Sequence, residues 1–241
     1  MVRQDLQLQD GSRVAVIGGG PAGSFFSLFL LDIANRIDLD IHVDIFEPRD
    51  FSHPGPMGCN MCGGIISESL VQMLATEGII LPPKVVQRGI DSYMLHMDVG
   101  SVRINTPVQQ KRIAAITRGS GPRDLKEVKW DSFDGYLQKL AIEKGANVIN
   151  KRVRQMDWSS GCPRLKSGKE FSEPYDLVVF ATGVNAAAHK LLENFESAYE
   201  PPQTTRTFIQ EYFLGEERIA DVLGSSMHVF LLDIPSLEFA A

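Results

Sequence analysis

Three glycines near the start of the chain are spaced so that the backbone between them can hold an anionic ligand. Gly18, Gly20 and Gly23 form a Gly-x-Gly-x-x-Gly pattern, with Pro21 and Ala22 between the last two. In such a loop the first glycine makes a tight turn, the second lets a diphosphate approach, and the third lets helix and strand pack closely. The N–H groups and dipole of the following helix attract negative charge. The pattern therefore predicts a dinucleotide-binding loop.

An acidic residue completes this pattern at the end of the second predicted strand. Residues 13–17 are a short apolar segment typical of a buried parallel strand, and residues 41–46 are predicted as a second strand. A helix that is apolar on most faces, and therefore buried, is predicted over 24–37. Glu47 follows the second strand, where a carboxylate accepts hydrogen bonds from a ribose hydroxyl. The motif fits NAD and FAD equally, because both contain a diphosphate and an adenosine.

A second group of chemically active residues is the pair Cys59 and Cys62, followed by Gly63 and Gly64. Four interpretations stay open. The loop lies against the cofactor, with the glycines allowing close backbone approach; the cysteines form a redox pair; they are half of a metal site; or they are small buried residues of a tight loop. A zinc site needs further cysteines or histidines at suitable spacing, and Cys162 is the one cysteine left. We therefore predict no metal.

Beyond these motifs the pattern alternates between helices and strands. Helices are predicted over 67–77 and 132–144, and strands over 84–118 (with turns), 146–150, 176–181, 205–214 and 227–233.

Composition excludes several classes of protein. The chain has 241 residues, 44% of them hydrophobic and 22% charged, with a net charge of −6. This balance is typical of soluble globular proteins and lacks the basic excess of a nucleic-acid binder. Three cysteines are too few for a secreted disulfide scaffold. With no secretory signal or transmembrane segment in the pattern, we expect a cytoplasmic protein.

Several segments occur together in a way that resembles one flavoprotein family. The chain is similar to the geranylgeranyl reductase family, within the FAD-dependent monooxygenase-like superfamily of the p-hydroxybenzoate hydroxylase type. The segments that carry this resemblance are Gly18–Gly23, Asp-Ile-Phe-Glu-Pro over 44–48, Phe133-Asp134-x-x-Leu137, Asp176–Gly183 and, for the reductases, Cys62-Gly63-Gly64. The resemblance covers nearly the whole chain.

The resemblance implies a fold, a cofactor and site residues. The fold is α/β, a Rossmann-like FAD-binding domain with a three-layer parallel sheet (1–83 and 108–188) plus a partial β-rich substrate domain (84–107 and 189–241). The residues expected to bind FAD are Gly18, Gly20, Pro21, Ala22, Gly23, Glu47, Gly63, Gly64, Thr182 and Gly183. A charged contact to the diphosphate is expected from Arg49, Arg112 or Arg123, for each of which a plain surface role is the alternative.

The chain departs from the family in one respect. Family members are longer and carry a later Gly-Asp motif, for which residues after 183 hold no equivalent. The sequence is therefore expected to be cut inside the substrate domain.

The resemblance also implies an activity. We expect reduction of isoprenoid carbon–carbon double bonds by hydride transfer from reduced flavin, with Cys62, or failing that Cys59, as the acid near the ring. Electrons would come from NAD(P)H or an electron-donor protein, and a lipid-like substrate would favour peripheral membrane association. The alternatives are a flavin-dependent hydroxylase and a dinucleotide-binding fragment without chemistry.

Overall fold

The computed structural model of the chain describes residues 7–52, 62–118, 131–159, 161–184, 189–192, 199–204, 209, 212, 214–231 and 233. The strands in these residues are β1 (Ser12–Ile17), β2 (Ile41–Phe46), β3 (Ile65–Ile66), β4 (Val86–Ile90), β5 (Ser92–Met97), β6 (Gly100–Asn105), β7 (Ile113–Ile116), β8 (Asn147–Ile149), β9 (Gln155–Ser159), β10 (Cys162–Lys166), β11 (Leu177–Phe180) and β12 (Ser226–Phe230). The helices are α1 (Pro21–Arg36), α2 (Glu68–Thr76), α3 (Phe133–Glu143), α4 (His189–Leu192) and α5 (Glu216–Val222).

The chain divides into two compact units. The first unit comprises Met1–His53 and Asp134–Thr207, and the second comprises Pro54–Phe133 and Phe208–Ala241. Segments 54–83 and 108–133, which the sequence prediction assigned to the FAD-binding domain, therefore lie in the second unit. The assignment of one domain to FAD and one to substrate stays a prediction.

The first unit is built on a parallel sheet in the order β11–β1–β2–β8. The central strand β1 pairs with β2 along its whole length and with β11 from Val14 to Ile17. Because the strands run in one direction, the segments that follow β1, β2 and β11 emerge at the same edge of the sheet, where α/β proteins bind ligands. The predicted α/β class with a parallel sheet is confirmed.

The two faces of this sheet are covered by different structures. Val16 of β1 faces α1, since its Cγ1 lies beside Gly23. Its neighbour Ala15 points the other way and belongs to a buried cluster with Met156 of β9 and Leu165 of β10. These two hairpin residues are directly paired across the antiparallel strands. The unit thus has a helical layer, a parallel sheet and a β-hairpin layer.

Helix α1 begins earlier and is less buried than the sequence predicts. It starts at Pro21, because Gly20 serves as N-cap and proline is well suited to the first helical position. The expectation of burial on most faces is wrong: Ile33 is 56% exposed. The buried residues are spaced as one stripe, namely Gly23, Ser24, Ser27, Leu28, Leu31 and Ala34.

The second unit contains two three-stranded sheets and a capped helix. The sheets have the orders β3–β7–β4 and β12–β5–β6. Helix α2 is preceded by Ser67, whose hydroxyl accepts a hydrogen bond from the Leu70 N–H at 3.3 Å. Such a cap satisfies one of the free N–H groups at a helix start. The strands predicted over 84–118 and the helix predicted over 67–77 are confirmed.

Two strands predicted in the C-terminal part have different outcomes. The strand predicted over 227–233 is observed as β12, whereas α5 was not predicted. Of the strand predicted over 205–214, only residues 209, 212 and 214 are described, and they are not in a strand. Among all described residues, no helix is both long and apolar enough to cross a membrane.

Candidate dinucleotide-binding site

Gly18 begins the loop that follows β1 and is held on both sides by neighbouring strand ends. Its N–H donates to the Phe46 carbonyl at 2.9 Å, and its φ is +110°, a conformation that favours glycine. A Cβ here would lie 2.7 Å from the carbonyl carbon of Ala181, which follows β11. The tight turn predicted at Gly18 is thus also the point where the loop packs on the end of β11.

Gly23 allows α1 to pack closely on β1. A Cβ on residue 23 would overlap with the Gly18 carbonyl group and would lie 3.1 Å from Cγ1 of Val16. This contact is the close approach of helix and strand that the third glycine of the motif permits.

Gly20 differs from both, because a Cβ at this position would fit without a clash. The nearest atom to a Cβ at this position is Oδ1 of Asp134, at 3.9 Å. Gly20 is also the N-cap of α1, so no side chain caps the helix, and its first turn contains no acidic residue. An uncapped helix start with free N–H groups suits the diphosphate of a dinucleotide.

Glu47 lies at the end of β2 and connects that strand to the loop. The residue is only 7% exposed. Its Oε2 accepts a hydrogen bond from the Gly19 N–H at 2.8 Å, and its Oε1 accepts one from the Arg49 N–H at 2.9 Å. A carboxylate oxygen has room for a second hydrogen bond, so these two bonds leave the predicted contact to a ribose hydroxyl possible.

Thr182 and Gly183 continue from Ala181 on the same edge of the sheet. The Ala181 N–H donates to the Ile17 carbonyl at 2.8 Å, which extends the β1–β11 pairing to the loop. Gly183 is exposed, has a φ of +76°, and has no atom within 4 Å of where a Cβ would lie. The structure thus brings these two residues beside the glycine loop, while their contact with a cofactor stays a prediction.

In the second unit, the segment from Cys62 to Gly64 pairs with the strand β7 and its extension. The Ile116 N–H donates to the Gly64 carbonyl at 2.7 Å, which continues the antiparallel register of β3 and β7. The same register places Cys62 opposite Arg118, whose Nη1 donates to Cys62 Sγ at 3.5 Å. Cys62 is a half-buried free thiol.

The two glycines of this segment differ in their surroundings. A Cβ on Gly64, whose φ is +66°, would overlap with the carbonyl oxygen of Ile116. Gly63 is exposed and has no atom within 4 Å of where a Cβ would lie. Gly64 is therefore required by packing on β7, and the predicted approach of either glycine to a flavin stays a prediction.

The structure gives less support to the other residues predicted to bind the cofactor or take part in its chemistry. Nη1 of Arg112 contacts Oε1 of Glu68 at 2.7 Å and its Nε donates to Gln110 Oε1 at 2.6 Å, so much of its charge is already compensated. Cys59 and Arg123 lie outside the described residues. The interpretation of Cys59 and Cys62 as a redox pair therefore stays a prediction. The described residues contain no group of three or more metal-ligating side chains.

Part of this chain is similar in sequence to a known protein. No protein-family model matches the chain. Over 166 residues it is 28% identical to geranylgeranyl diphosphate reductase of Synechocystis, a match that covers 68% of this chain and 32% of the reductase. This match confirms the resemblance to geranylgeranyl reductases that the sequence motifs indicate.

Solved structures extend the likeness to the fold. The myxobacterial chondrochloren halogenase CndH, a variant of FAD-dependent halogenases, superposes with a TM-score of 0.51 at 15% identity, covering 74% of this chain and 38% of the halogenase. A triple mutant of the flavin-dependent brominase Bmp2 gives 0.51 at 16% identity, covering 71% and 39%. The matched part of this chain therefore shares its fold with the corresponding part of these halogenases. It spans about a third of the reductase and less than two fifths of these halogenases.

Two further residues contact the loop and a third lies beside it, and none of the three was predicted to do so. The Gly19 carbonyl accepts hydrogen bonds from Ser24 Oγ at 3.0 Å and Gln138 Nε2 at 3.2 Å. Asp134, one turn before Gln138 on α3, is fully buried near Gly20. In the sequence, Asp134 and Gln138 are four residues apart on a predicted helix and therefore lie on one face of it. This spacing could have indicated that the two residues act together.

Proposed function

We propose that this chain is the FAD-binding part of an oxidoreductase that reduces carbon–carbon double bonds of an isoprenoid-type substrate. The observation that carries the proposal is the uncapped start of α1, where a Cβ on Gly20 would meet one atom within 4 Å and where Glu47 holds the neighbouring Gly19 N–H. The sequence match to a geranylgeranyl diphosphate reductase supports FAD as the cofactor and an isoprenoid as the substrate class.

The described residues divide the binding of FAD among three strand ends. We assign the diphosphate to the N–H groups of Gly20, Ala22 and Gly23, and the adenosine ribose to Glu47. Thr182 and Gly183, after β11, flank the same site. Pro21 has no N–H and contributes by fixing the first turn of α1.

Saturation of a double bond needs a hydride and a proton. Reduced FAD, when bound, supplies the hydride to one alkene carbon. We assign the proton on the other carbon to the Cys62 thiol, with Cys59 as the second candidate. Nη1 of Arg118 donates to the sulfur of Cys62 and so stabilises the negative charge that remains there after proton donation. Electrons come from NAD(P)H or an electron-donor protein.

Binding of FAD is tested by a substitution that fills the site without disturbing the fold. Gly20→Val places a side chain at the start of α1, whereas Gly168→Val makes the same change at an exposed glycine with no atom within 4 Å. We expect the wild-type chain and Gly168→Val to take up FAD and show the visible absorbance of bound flavin. Gly20→Val should keep its circular dichroism spectrum and lose the flavin. Equal uptake by all three would contradict the site.

The reaction is tested without oxygen on the FAD-loaded chain after chemical reduction. We expect geranylgeranyl diphosphate to gain two hydrogens per reduced bond, detected by mass spectrometry, and Cys62→Ser to slow this gain more than Cys162→Ser does. In a parallel reaction with oxygen, a hydroxylated product would instead favour the flavin hydroxylase. Failure of the wild-type chain to take up FAD would favour a fragment without chemistry.

A further inference from the structure

Gly19 is held by hydrogen bonds from three different elements, through the N–H of one peptide unit and the carbonyl of the next. Its N–H donates to Glu47 Oε2 after β2, and its carbonyl accepts from Ser24 of α1 and from Gln138 of α3. A carbonyl oxygen has two lone pairs, and both are used here. The orientation of the peptide between Gly19 and Gly20 is therefore determined by side chains outside the glycine motif.

This orientation decides where the Gly20 N–H points. The peptide bond is planar and trans, so the carbonyl of residue 19 and the N–H of residue 20 point in opposite directions. Since the carbonyl faces Ser24 and Gln138, the Gly20 N–H faces away from them. Gln138 lies 119 positions from Gly19 along the chain, so this bond also records the docking of α3 on the loop.

We propose that Gln138 is a positioning residue for the cofactor: by holding the Gly19 carbonyl, it directs the Gly20 N–H toward the diphosphate. The inference rests on the proposed binding of FAD at this loop. Ser24 lies on the same helix as the loop and holds the carbonyl locally. Gln138 supplies the second bond from a separate helix, so its loss leaves the peptide with one fewer restraint.

Two substitutions separate positioning from packing. Gln138→Leu removes the donor, whereas Gln138→Glu keeps the shape and places an oxygen against the Gly19 carbonyl, near the Glu47 carboxylate. If Gln138 only filled space, the glutamate variant would be the milder change. If it positions the peptide, the affinity for FAD falls in the order wild type, Gln138→Leu, Gln138→Glu.

In the experiment, each purified chain is titrated with FAD, and the quenching of flavin fluorescence measures binding. For Gln138→Leu we expect a dissociation constant roughly three to ten times that of the wild type, the usual effect of one lost hydrogen bond. Gln138→Glu should bind more weakly still at pH 7 and, relative to the wild type at the same pH, recover as the pH approaches about 4, where a glutamate carboxyl gains a proton and donates again. Lys139→Leu, at the neighbouring exposed position of α3, should bind as the wild type does.

The outcomes distinguish this inference from the function on which it rests. Wild-type binding of FAD with unchanged dissociation constants in both Gln138 variants overturns the positioning role alone. A glutamate variant that binds better than the leucine variant at pH 7, or that does not recover at low pH, also overturns it. Absence of FAD binding by the wild-type chain overturns both proposals. The pH recovery is measured on one sample, so a folding defect in Gln138→Leu does not affect that result.

Discussion

Gly18 and Ala181 lie against each other where the central strand and its neighbour end, and a Cβ on residue 18 would lie 2.7 Å from the Ala181 carbonyl carbon. We expect Gly18→Ala to lower the free energy of unfolding by roughly 2–4 kcal/mol, from the positive φ and the collision together. Gly11→Ala is the matched control, because its φ is +79° but it has no atom within 4 Å of a Cβ. Urea unfolding followed by circular dichroism measures both, and equal losses would contradict the contact.

Glu47 should stabilise the fold even without cofactor, because its two oxygens accept N–H groups of Gly19 and Arg49. In Glu47→Gln one oxygen becomes an NH₂ group that faces an N–H donor. We expect a loss of about 1–3 kcal/mol in the free energy of unfolding of the FAD-free chain. Glu77→Gln, at an exposed position, should change it little. A loss seen only with FAD present would restrict Glu47 to ribose binding.

Asp91 should make the second unit sensitive to acid. Hydrogen bonds from the hydroxyls of Ser225, at 2.6 Å, and Ser92, at 2.8 Å, lower the pKa of its carboxyl, with help from Arg103. A carboxyl whose pKa is lower in the folded state stabilises the fold above its unfolded pKa and loses this effect as the pH falls. We expect stability to decline as the pH drops below about 4.

The variant Asp91→Asn isolates this contribution. It should be less stable than the wild type at pH 7 and should lose less further stability between neutral and acid pH. Thermal unfolding at a series of pH values measures the difference. Asp98→Asn, in the turn between β5 and β6, serves as the control. Parallel pH profiles for Asp91→Asn and the wild type would refute the assignment.

Tyr175 should have the opposite pH dependence. Burial raises its pKa, and so does the hydrogen bond that its hydroxyl donates to Asp44 at 2.8 Å. A tyrosine whose pKa is raised on folding stabilises the fold below its unfolded pKa, near 10, and this effect is lost as the pH rises further. Tyr175→Phe should lower the free energy of unfolding by about 1 kcal/mol at pH 7. Above pH 10 this variant should lose less of its free energy of unfolding than the wild type does. Tyr199→Phe, at a half-exposed residue, should do neither.

The parts of the fold predicted best are those defined by short-range patterns. The strand β2 was predicted with its observed bounds, because apolar residues alternate with polar ones from Ile41 to Ile45 and polar residues flank the segment on both sides. The helix α5 was missed, since its sequence is polar and none of its residues is buried. Without an apolar stripe, no periodicity distinguishes such a helix from a loop.

For the site, sequence reasoning reached those residues whose role follows from the backbone. Gly18 bonds to Phe46, the residue before Glu47, because parallel strands end at one edge, which the βαβ pattern already implies. The bond from Gln138 to Gly19 depends on how α3 docks, and nothing in a glutamine on a helix indicates a carbonyl partner 119 positions away. Arg112 was a candidate on charge alone, and its pairing with Glu68 depends on tertiary structure.

The position of β11 has a consequence for how the protein is made. The Arg13 N–H bonds to the Asp176 side chain across 163 positions of sequence, where β11 joins β1. During translation the amino-terminal glycine loop therefore emerges long before the strand that completes its surroundings. Until then one edge of β1 lacks its native partner, a state prone to pairing with other chains. Cofactor capture should accordingly come late in synthesis, and nascent chains ending before β11 should depend on chaperones rather than on FAD for protection.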